Sequence, residues 1–509
     1  MKRSRKTKGP RASSAAEAPP DLTKLTGFDL LVQASGAHVR DVTDSAPIDF
    51  GTQKKALAII DSGYRRLPPI YEDPFLNPLK KLTTDVEYAL ILERLHARGN
   101  GPWSDWLAAI GQRQPGSLQK ATQAFEETIS DLYDGFLSME ERRGVKPPDH
   151  QTVSPLVKWG NPRSGPYTWP ATTGLRLGME MSVVSMPPAY ARNIALWAAL
   201  GHETGGHDIL HADEGLLAEI ATLVERRILD AGKKRPLRGT FAQVNGRRVP
   251  VAEFAAYYWK HCIDETASDV CGLINLGPAA GVGLAVLLIP IRNNTLPTVN
   301  HVEDVHPIDA LRIFLAAEVV EDIPDLELSL ARAWSKALAA VADQYIPNKS
   351  GFGLYSVDAA GNPYWEAVIP YEPMLETVRV VASTIAFTPL ESLENHSLSE
   401  INTWSNSDER LTVRLAQDFL SGRSPSLAAG PAGETIYAAH VLSAAVLALA
   451  NGAPIEPSTE RAINALVELY NQNPVWRGFP VRYRGDVYQH PFVFAYGKKA
   501  PLLPKRLAV

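Results

Sequence analysis

The sequence is poor in cysteine and carries little net charge. Only two of its 509 residues are cysteines, Cys262 and Cys271. If one helix carries both, their Cα atoms lie about 13 Å apart at a rise of ~1.5 Å per residue, which is too far for a disulfide bond. No disulfide is therefore expected, and a cytoplasmic location is favoured. The formal net charge of −5 gives no indication of a nucleic-acid partner.

Long hydrophobic runs are scarce as well. Residues 272–291, GLINLGPAAGVGLAVLLIPI, approach the roughly 20 residues that cross a bilayer, but they include Asn275, two prolines and four glycines. We therefore expect a buried core segment and no membrane span. Residues 1–21 begin with a run of Lys and Arg that no apolar stretch follows, which predicts a flexible basic tail and not a signal peptide.

The remaining patterns predict a mainly helical α+β protein. Residues 22–145 show apolar positions at helical spacing, and a stretch rich in Pro, Gly and Trp follows them. We expect a zincin-like metal-binding domain at 146–345 and a helical C-terminal region with late strands at 346–509. Within the middle domain, 175–186 has strand character, and Asn245-Gly246 predicts the turn of a β-hairpin.

The most informative segment is 198–213, AALGHETGGHDILHAD, which follows an apolar helix and is rich in histidine and acids. Catalytic zinc takes three protein ligands from His, Cys, Asp or Glu and keeps one position open for water. One helix can fix two of these ligands, and a carboxylate beside the first histidine can then lie over the water as a general base. The segment therefore predicts a zinc site.

Two spacings of histidines compete within this segment. The first is HExxxH, with His202 and His207 as ligands and Glu203 as the base. An ideal helix separates these histidines by about 140° at ~100° per residue, so this spacing requires a π-bulge, which the two glycines between them would accept. The second is HDxxH, with His207 and His211 as ligands and Asp208 as the base. We favour the first, because the shorter Asp208 would lie about one methylene further from the water.

The third ligand is predicted in DETASD, residues 264–269, on a later helix. Glu265 and Asp269 are four residues apart and therefore share one helix face. This spacing suits a carboxylate ligand, Glu265, with Asp269 accepting the ring N–H of a ligand histidine. The same spacing is common on solvent-exposed helices, and it becomes informative here because HETGGH precedes it.

These two motifs resemble those of known zinc peptidases. HETGGH is similar to the HExxGH signature of the dipeptidyl peptidase III family, whose zinc helix carries the same extra residue. DETASD resembles that family's second motif and the NExxSD motif of thermolysin-like enzymes. The resemblance implies a metallopeptidase of the gluzincin type, with zinc held by His202, His207 and Glu265 and with Glu203 as general base.

A third segment, HPIDALR at 306–312, is similar to the HPxxxxR segment of CAAX-endopeptidases and HtpX-like metallopeptidases, in which it also follows the zinc motifs. That resemblance implies that His306 or Arg312 stabilises the oxyanion or holds a substrate carbonyl. From the residues alone, the segment is equally a helix start with Pro307 in the first turn. Tyr257 or Tyr258 could serve the oxyanion instead.

The predicted function is therefore zinc-dependent hydrolysis of a peptide bond, with a peptide or a small amide as substrate. The alternatives are a zinc amidohydrolase acting on a small molecule and a non-catalytic zincin-like binding or regulatory protein. In the latter, a fourth ligand such as His211 would close the site. The strand within 175–186 is expected to be either scaffold or an exposed edge strand that pairs with extended substrate. His440, in an apolar helix, is expected to be a packed core histidine.

Overall fold

The computed structural model describes residues 20–43, 48, 51–85, 101–137, 145–146, 148–150, 153–430 and 433–473. Within these residues the protein has a mainly helical α+β fold with two small β-sheets, as the sequence predicts. Most of the predicted basic tail and the predicted late strands, which follow residue 473, lie outside the described residues.

The described α-helices pack as a multilayered bundle around one hydrophobic core. They are α1 (Phe28–Val39), α2 (Gln53–Gly63), α3 (Asn77–Thr84), α4 (Pro102–Gly111), α5 (Gln119–Leu137), α6 (Ala199–His202), α7 (Leu216–Ala231), α8 (Val251–His261), α9 (Ile263–Leu276), α10 (Pro278–Ile291), α11 (Asp309–Glu321), α12 (Leu328–Tyr345), α13 (Tyr371–Phe387), α14 (Leu398–Ile401), α15 (Asn406–Leu420), α16 (Ala438–Ala450) and α17 (Ile455–Gln472). The core they share is a single continuous cluster of buried apolar side chains.

The first sheet has three strands in the order β1-β3-β2. These strands are β1 (Leu156–Trp159), β2 (Tyr167–Trp169) and β3 (Val183–Met186). Of the two interpretations of 175–186, scaffold and exposed edge strand, the structure agrees with the first. The first residues of this segment belong to a 3₁₀ helix, Ala171–Leu177, and β3 is buried, pairing with β1 on one side and with β2 on the other. The short β2 is the strand of this sheet that contacts the predicted metal helix.

The second sheet has five strands in the order β5-β4-β8-β7-β6. They are β4 (Phe241–Val244), β5 (Arg247–Pro250), β6 (Val299–His301), β7 (Phe352–Val357) and β8 (Pro363–Ile369). The predicted hairpin is confirmed, because β4 and β5 pair antiparallel around Asn245 and Gly246. Both turn residues have positive φ, 48° and 73°, the conformation that a two-residue type I′ turn requires.

The apolar stretch 272–291 forms the end of α9 and all of α10, and nearly every residue in it is buried. The prediction of a core segment is confirmed. No helix of the described residues is long and apolar enough to cross a membrane. Cys262 lies at the junction of α8 and α9, Cys271 lies within α9, and both thiols are buried and not joined to each other.

Candidate metal centre

The predicted metal-binding helix is distorted at the two histidines. It starts with two 3₁₀ turns, continues as α6 and widens into a π-helical turn at Glu203–Asp208. A π-helical turn holds about one residue more than an α-helical turn, so residues five apart come to one face. The ring centroids of His202 and His207 lie 4.8 Å apart, with the ring planes at 89°. The two imidazoles are therefore close enough to bind one metal ion together.

The glycines of this segment let it pack closely on α9. A Cβ atom at Gly206 would lie 2.4 Å from the Cα atom of Ser268, well inside any allowed contact. A Cβ atom at Gly201 would lie 3.2 Å from the Cα atom of Gly272. The paired glycines were expected to let the backbone form a π-bulge, and Gly206 is also required by the close contact between this helix and α9.

This close packing brings Glu265, in the first turn of α9, to the two histidines. Its Oε2 lies 3.1 Å from Nε2 of His202, and its Oε1 lies 3.7 Å from Nε2 of His207. One ligand atom from each of the three residues lies within 4.8 Å of the other two. The three predicted ligands therefore converge, and a cation could sit between them.

Glu265 Oε2 provides a test of whether the site suits a metal. The atom is buried, and the group it faces at 3.1 Å is Nε2 of His202, itself a potential metal ligand. A buried carboxylate needs a donor or a cation to offset the cost of burial, and a cation held by both groups would supply it. Two imidazoles and one carboxylate form the ligand set of several catalytic zinc sites. The residues present therefore fit zinc.

Asp269 lies behind His202, as the sequence predicts of an acid that orients a ligand histidine. Its Oδ1 accepts a hydrogen bond from Nδ1 of His202 at 2.8 Å, which leaves Nε2 of that ring to face Glu265. Burial alone would raise the pKa of Asp269, but Arg312 and His202 hold it well below its usual range. The pKa of His202 is lowered by burial but raised more strongly by Asp269 and Glu265, to about 10.

Arg312, the other residue predicted for the oxyanion, is buried and is bound to Asp269. Its Nε and Nη2 bind the two oxygens of Asp269 at 2.7 and 2.8 Å, a bidentate pair, and its side chain is 7% exposed. The guanidinium thus holds the carboxylate that orients His202. This contact could not be predicted from the sequence, because the two residues are far apart along the chain.

Asp264 plays the corresponding part for His207, a role that was not predicted from the sequence. Its Oδ1 lies 3.1 Å from Nδ1 of His207, and its Oδ2 lies 3.0 Å from Nε2 of His211. In the HDxxH alternative, His211 is a metal ligand, but its Nε2 is turned to Asp264, and the convergent group among the described residues does not include it. Asp264 precedes Glu265 directly, so the helical spacing that identified Asp269 could not find it.

The two candidate bases have different surroundings. Glu203 Oε2 accepts a hydrogen bond of 2.9 Å from the hydroxyl of Thr168 on β2, a contact that sequence reasoning also missed. Asp208 is fully buried, and burial raises its pKa well above the usual value, with the charge of Glu203 adding to the effect. Glu203 also lines the cleft described below and Asp208 does not, so Glu203 is the better placed base.

His306 lies at the edge of the metal position. Its Nε2 is 3.5 Å from Glu265 Oε2, its Nδ1 is 2.8 Å from Asp304, and half of its side chain is exposed. Of the two candidate tyrosines, Tyr258 is buried and its hydroxyl accepts a hydrogen bond from the backbone N–H of Ile308. Tyr257 is 73% exposed on α8. His306 is therefore the predicted oxyanion residue with an open approach to Glu265.

A cleft of about 300 Å³ opens on the metal position. It is lined by His202, Glu203 and His306, so one ligand, the favoured base and the candidate oxyanion residue face the same space. Leu284, Leu287, Leu288 and Ile291 of α10 form its apolar wall. We refer to it below as the aliphatic cleft.

Comparisons of the chain with protein-family models, curated proteins and solved structures found no match. Function is therefore inferred from the chemistry of the side chains described above.

Proposed function

We propose that the protein is a zinc-dependent hydrolase of peptide bonds, with His202, His207 and Glu265 as the metal ligands. The observation that carries the proposal is the convergence of these three side chains beside an open cleft that Glu203 also lines. Bound zinc would supply Lewis acidity at the scissile carbonyl and would lower the pKa of a water molecule toward ~7.

The side chains around the metal position would transfer protons, stabilise the oxyanion and orient the histidine ligands. Glu203, anchored by Thr168, would take a proton from the attacking water and pass it to the leaving amine. His306, whose Nδ1 donates to Asp304, would in its doubly protonated form also donate its Nε2–H to the oxygen of the carbonyl under attack. Asp269 and Asp264 would keep the two histidine ligands in the tautomer that offers Nε2.

Arg312 has a positioning role in this scheme. It fixes Asp269 through two hydrogen bonds, and Asp269 in turn fixes His202. A carboxylate paired with a buried guanidinium stays ionised, so it continues to accept the ring N–H when a cation binds on the other side of the imidazole.

Non-catalytic zinc binding is the second candidate, and the position of His306 favours it. Its Nε2 lies 3.5 Å from Glu265 Oε2, close enough that a small movement would make it a fourth protein ligand. A site closed by four protein ligands is structural.

Metal analysis combined with hydrolysis assays separates these candidates. We expect the purified protein to hold one zinc per chain, to cleave members of a peptide library, to lose activity with a chelator and to regain it with added zinc. A protein that holds zinc tightly but cleaves neither peptides nor small amides would favour the structural site. Cleavage of small amides alone would indicate an amidohydrolase, and a protein that binds no divalent metal would overturn both zinc proposals.

A further inference from the structure

A second cleft meets the aliphatic cleft at the candidate oxyanion residue. It has a volume of about 230 Å³ and lies between α8 and the five-stranded sheet. Asp304 and His306 line both clefts, so this pair stands between them. The space available to a substrate therefore continues on both sides of His306.

One helix face forms the apolar wall of each cleft. In the aliphatic cleft the wall residues follow the spacing i, i+3, i+4 and i+7 along α10, and they are Leu284, Leu287, Leu288 and Ile291. The second cleft repeats this spacing along α8 with four ring-bearing residues, which are Phe254, Tyr257, Tyr258 and His261. Residues at this spacing share one helix face, so each wall is continuous. We call the second cleft the aromatic cleft.

The rings of the aromatic cleft are arranged to receive another ring. Phe254 and Tyr258 lie stacked, with centroids 6.2 Å apart and planes at 16°. His301, on the opposite wall, is held edge-on by Tyr355 at 5.5 Å. Aromatic pairs prefer such stacked or edge-to-face contacts and gain affinity beyond the area they bury. Pockets for whole ligands begin at roughly 300 Å³, so a cleft of this size suits one large side chain.

We propose that the substrate crosses His306, with an aliphatic side chain in the aliphatic cleft and an aromatic side chain in the aromatic cleft. The cleaved bond lies near His306 and Glu203, so the two side chains belong to residues on opposite sides of it. This inference rests on the proposed peptidase function and adds its substrate class, a peptide cleaved between an aliphatic and an aromatic residue.

The test uses the zinc-loaded full chain and a quenched fluorescent peptide library that varies the two residues flanking the cleaved bond. We expect kcat/KM to be at least about tenfold higher for pairs of one aliphatic and one aromatic residue than for pairs in which either is Asp or Gly. A flat profile, or a preference for charged residues on either side, would overturn the proposal.

Tyr257 allows the aromatic cleft to be altered without disturbing the core, because it is 73% exposed. Tyr257→Ala should lower the preference for an aromatic residue several-fold, whereas Tyr257→Phe should keep it. Tyr364→Ala removes a tyrosine that is 48% exposed on β8 and does not line the cleft, so it should leave the profile unchanged. If Tyr257→Ala and Tyr364→Ala behave alike, the aromatic cleft is not the subsite. Loss of activity in Tyr257→Phe would instead assign the hydroxyl to the reaction.

Ile291, 45% exposed, serves the same purpose in the aliphatic cleft. Ile291→Asp should reduce cleavage beside aliphatic residues, whereas Leu328→Asp, at a position that is 55% exposed on α12, should not. Binding of labelled library peptides to zinc-loaded Glu203→Gln, followed by fluorescence anisotropy, separates the two levels of inference. If peptides bind selectively but the unmodified protein does not hydrolyse them, the peptidase proposal is rejected and the subsites are retained. If peptides are hydrolysed without selectivity, the peptidase proposal is retained and the subsites are rejected.

Discussion

Two of the histidine–carboxylate pairs among the described residues, His202–Asp269 and His440–Asp408, are similar in geometry, and only the first belongs to the candidate metal site. His202 binds Asp269 at 2.8 Å, and His440 binds Asp408 at 2.9 Å. In the second pair, Nδ1 of His440 accepts the backbone N–H of Tyr437 and caps the start of α16. Both ring nitrogens of His440 are therefore occupied within the fold.

The other nitrogen of His202 has a different environment. Its Nε2 faces Glu265 at 3.1 Å, with the ring of His207 beside it. A carboxylate behind a buried histidine is thus no sign of a metal by itself. The distinguishing feature is a second nitrogen aimed at further ligand atoms and not at the backbone. His440 is 3% exposed, as expected of a packed core histidine.

The largest effect is expected from replacing Glu203, the candidate base next to His202. Glu203→Gln should lower kcat by 10²–10⁴-fold, the usual contribution of a general base, while zinc content stays at one per chain. Asp208→Asn is the matched control, because Asp208 is buried outside the cleft that Glu203 lines and an amide is close to a carboxyl group in size. Steady-state kinetics and metal analysis of both variants decide the matter. Full activity in Glu203→Gln with loss in Asp208→Asn would reverse the assignment.

The two aspartates of the compared pairs allow a direct contrast in metal affinity. Asp269→Asn should weaken zinc binding by about 10–100-fold, as is usual when the acceptor behind a ligand histidine is lost. Asp408→Asn should leave zinc affinity unchanged and lower the free energy of unfolding by about 1–2 kcal/mol. Competition with a chromophoric chelator measures the affinity, and denaturant titration of the zinc-free protein measures stability.

The Asp269→Asn measurement needs a second variant, because Arg312 would lose its partner. Asp269→Asn leaves its buried guanidinium without its carboxylate partner, which can destabilise a protein by 3–5 kcal/mol. Combining it with Arg312→Met removes the buried charge, and the loss of zinc affinity should persist in the refolded double variant. Equal zinc affinities for the Asp269 and Asp408 variants would show that Asp269 has no special role in zinc binding.

Much of this contrast was predictable from local sequence. The five-residue spacing of HETGGH demanded a π-bulge, and DETASD placed Glu265 and Asp269 on one helix face, because helical geometry fixes which positions align. The mainly helical α+β class and the Asn245-Gly246 hairpin followed from periodicity and turn chemistry. These features depend on neighbours within a few positions.

Contacts between distant segments were not predictable. Thr168 meets Glu203 across 35 residues, and Arg312 reaches Asp269 across 43. Strand character in 175–186 could not decide between scaffold and an exposed edge, because pairing on both sides of β3 depends on segments elsewhere. Asp264 was overlooked because adjacent helical residues point in different directions, although here both reach the histidines.

The glycine contact behind the distorted helix offers a smaller test. Gly206→Ala would drive a Cβ atom into Ser268, so it should lower the free energy of unfolding by about 1–3 kcal/mol and weaken zinc binding by separating His207 from Glu265. Gly116→Ala, where the nearest heavy atom beyond the adjacent residues is 3.9 Å from the new Cβ, should change stability by less than about 0.5 kcal/mol. Circular dichroism melts with and without zinc compare the two. Similar effects at both positions would show that close packing does not hold the metal segment in place.

The smallest expected effect concerns the hydroxyl that anchors the base. Thr168→Val keeps the shape of the side chain on β2 and removes its hydrogen bond to Glu203, worth about 1 kcal/mol, so kcat should fall about fivefold with zinc content unchanged. Thr222→Val, which removes a hydroxyl bonded only to its own helix at Ala218, should leave kcat as it is. Both ring nitrogens of His440 are held by fixed partners, as suits a structural residue. The proposed base Glu203 would have to take up and release a proton. A single neutral hydroxyl can orient its carboxylate and still leave it able to do so. Thr168→Ser should therefore restore the rate, and a rate that stays low in the serine variant would assign Thr168 to packing.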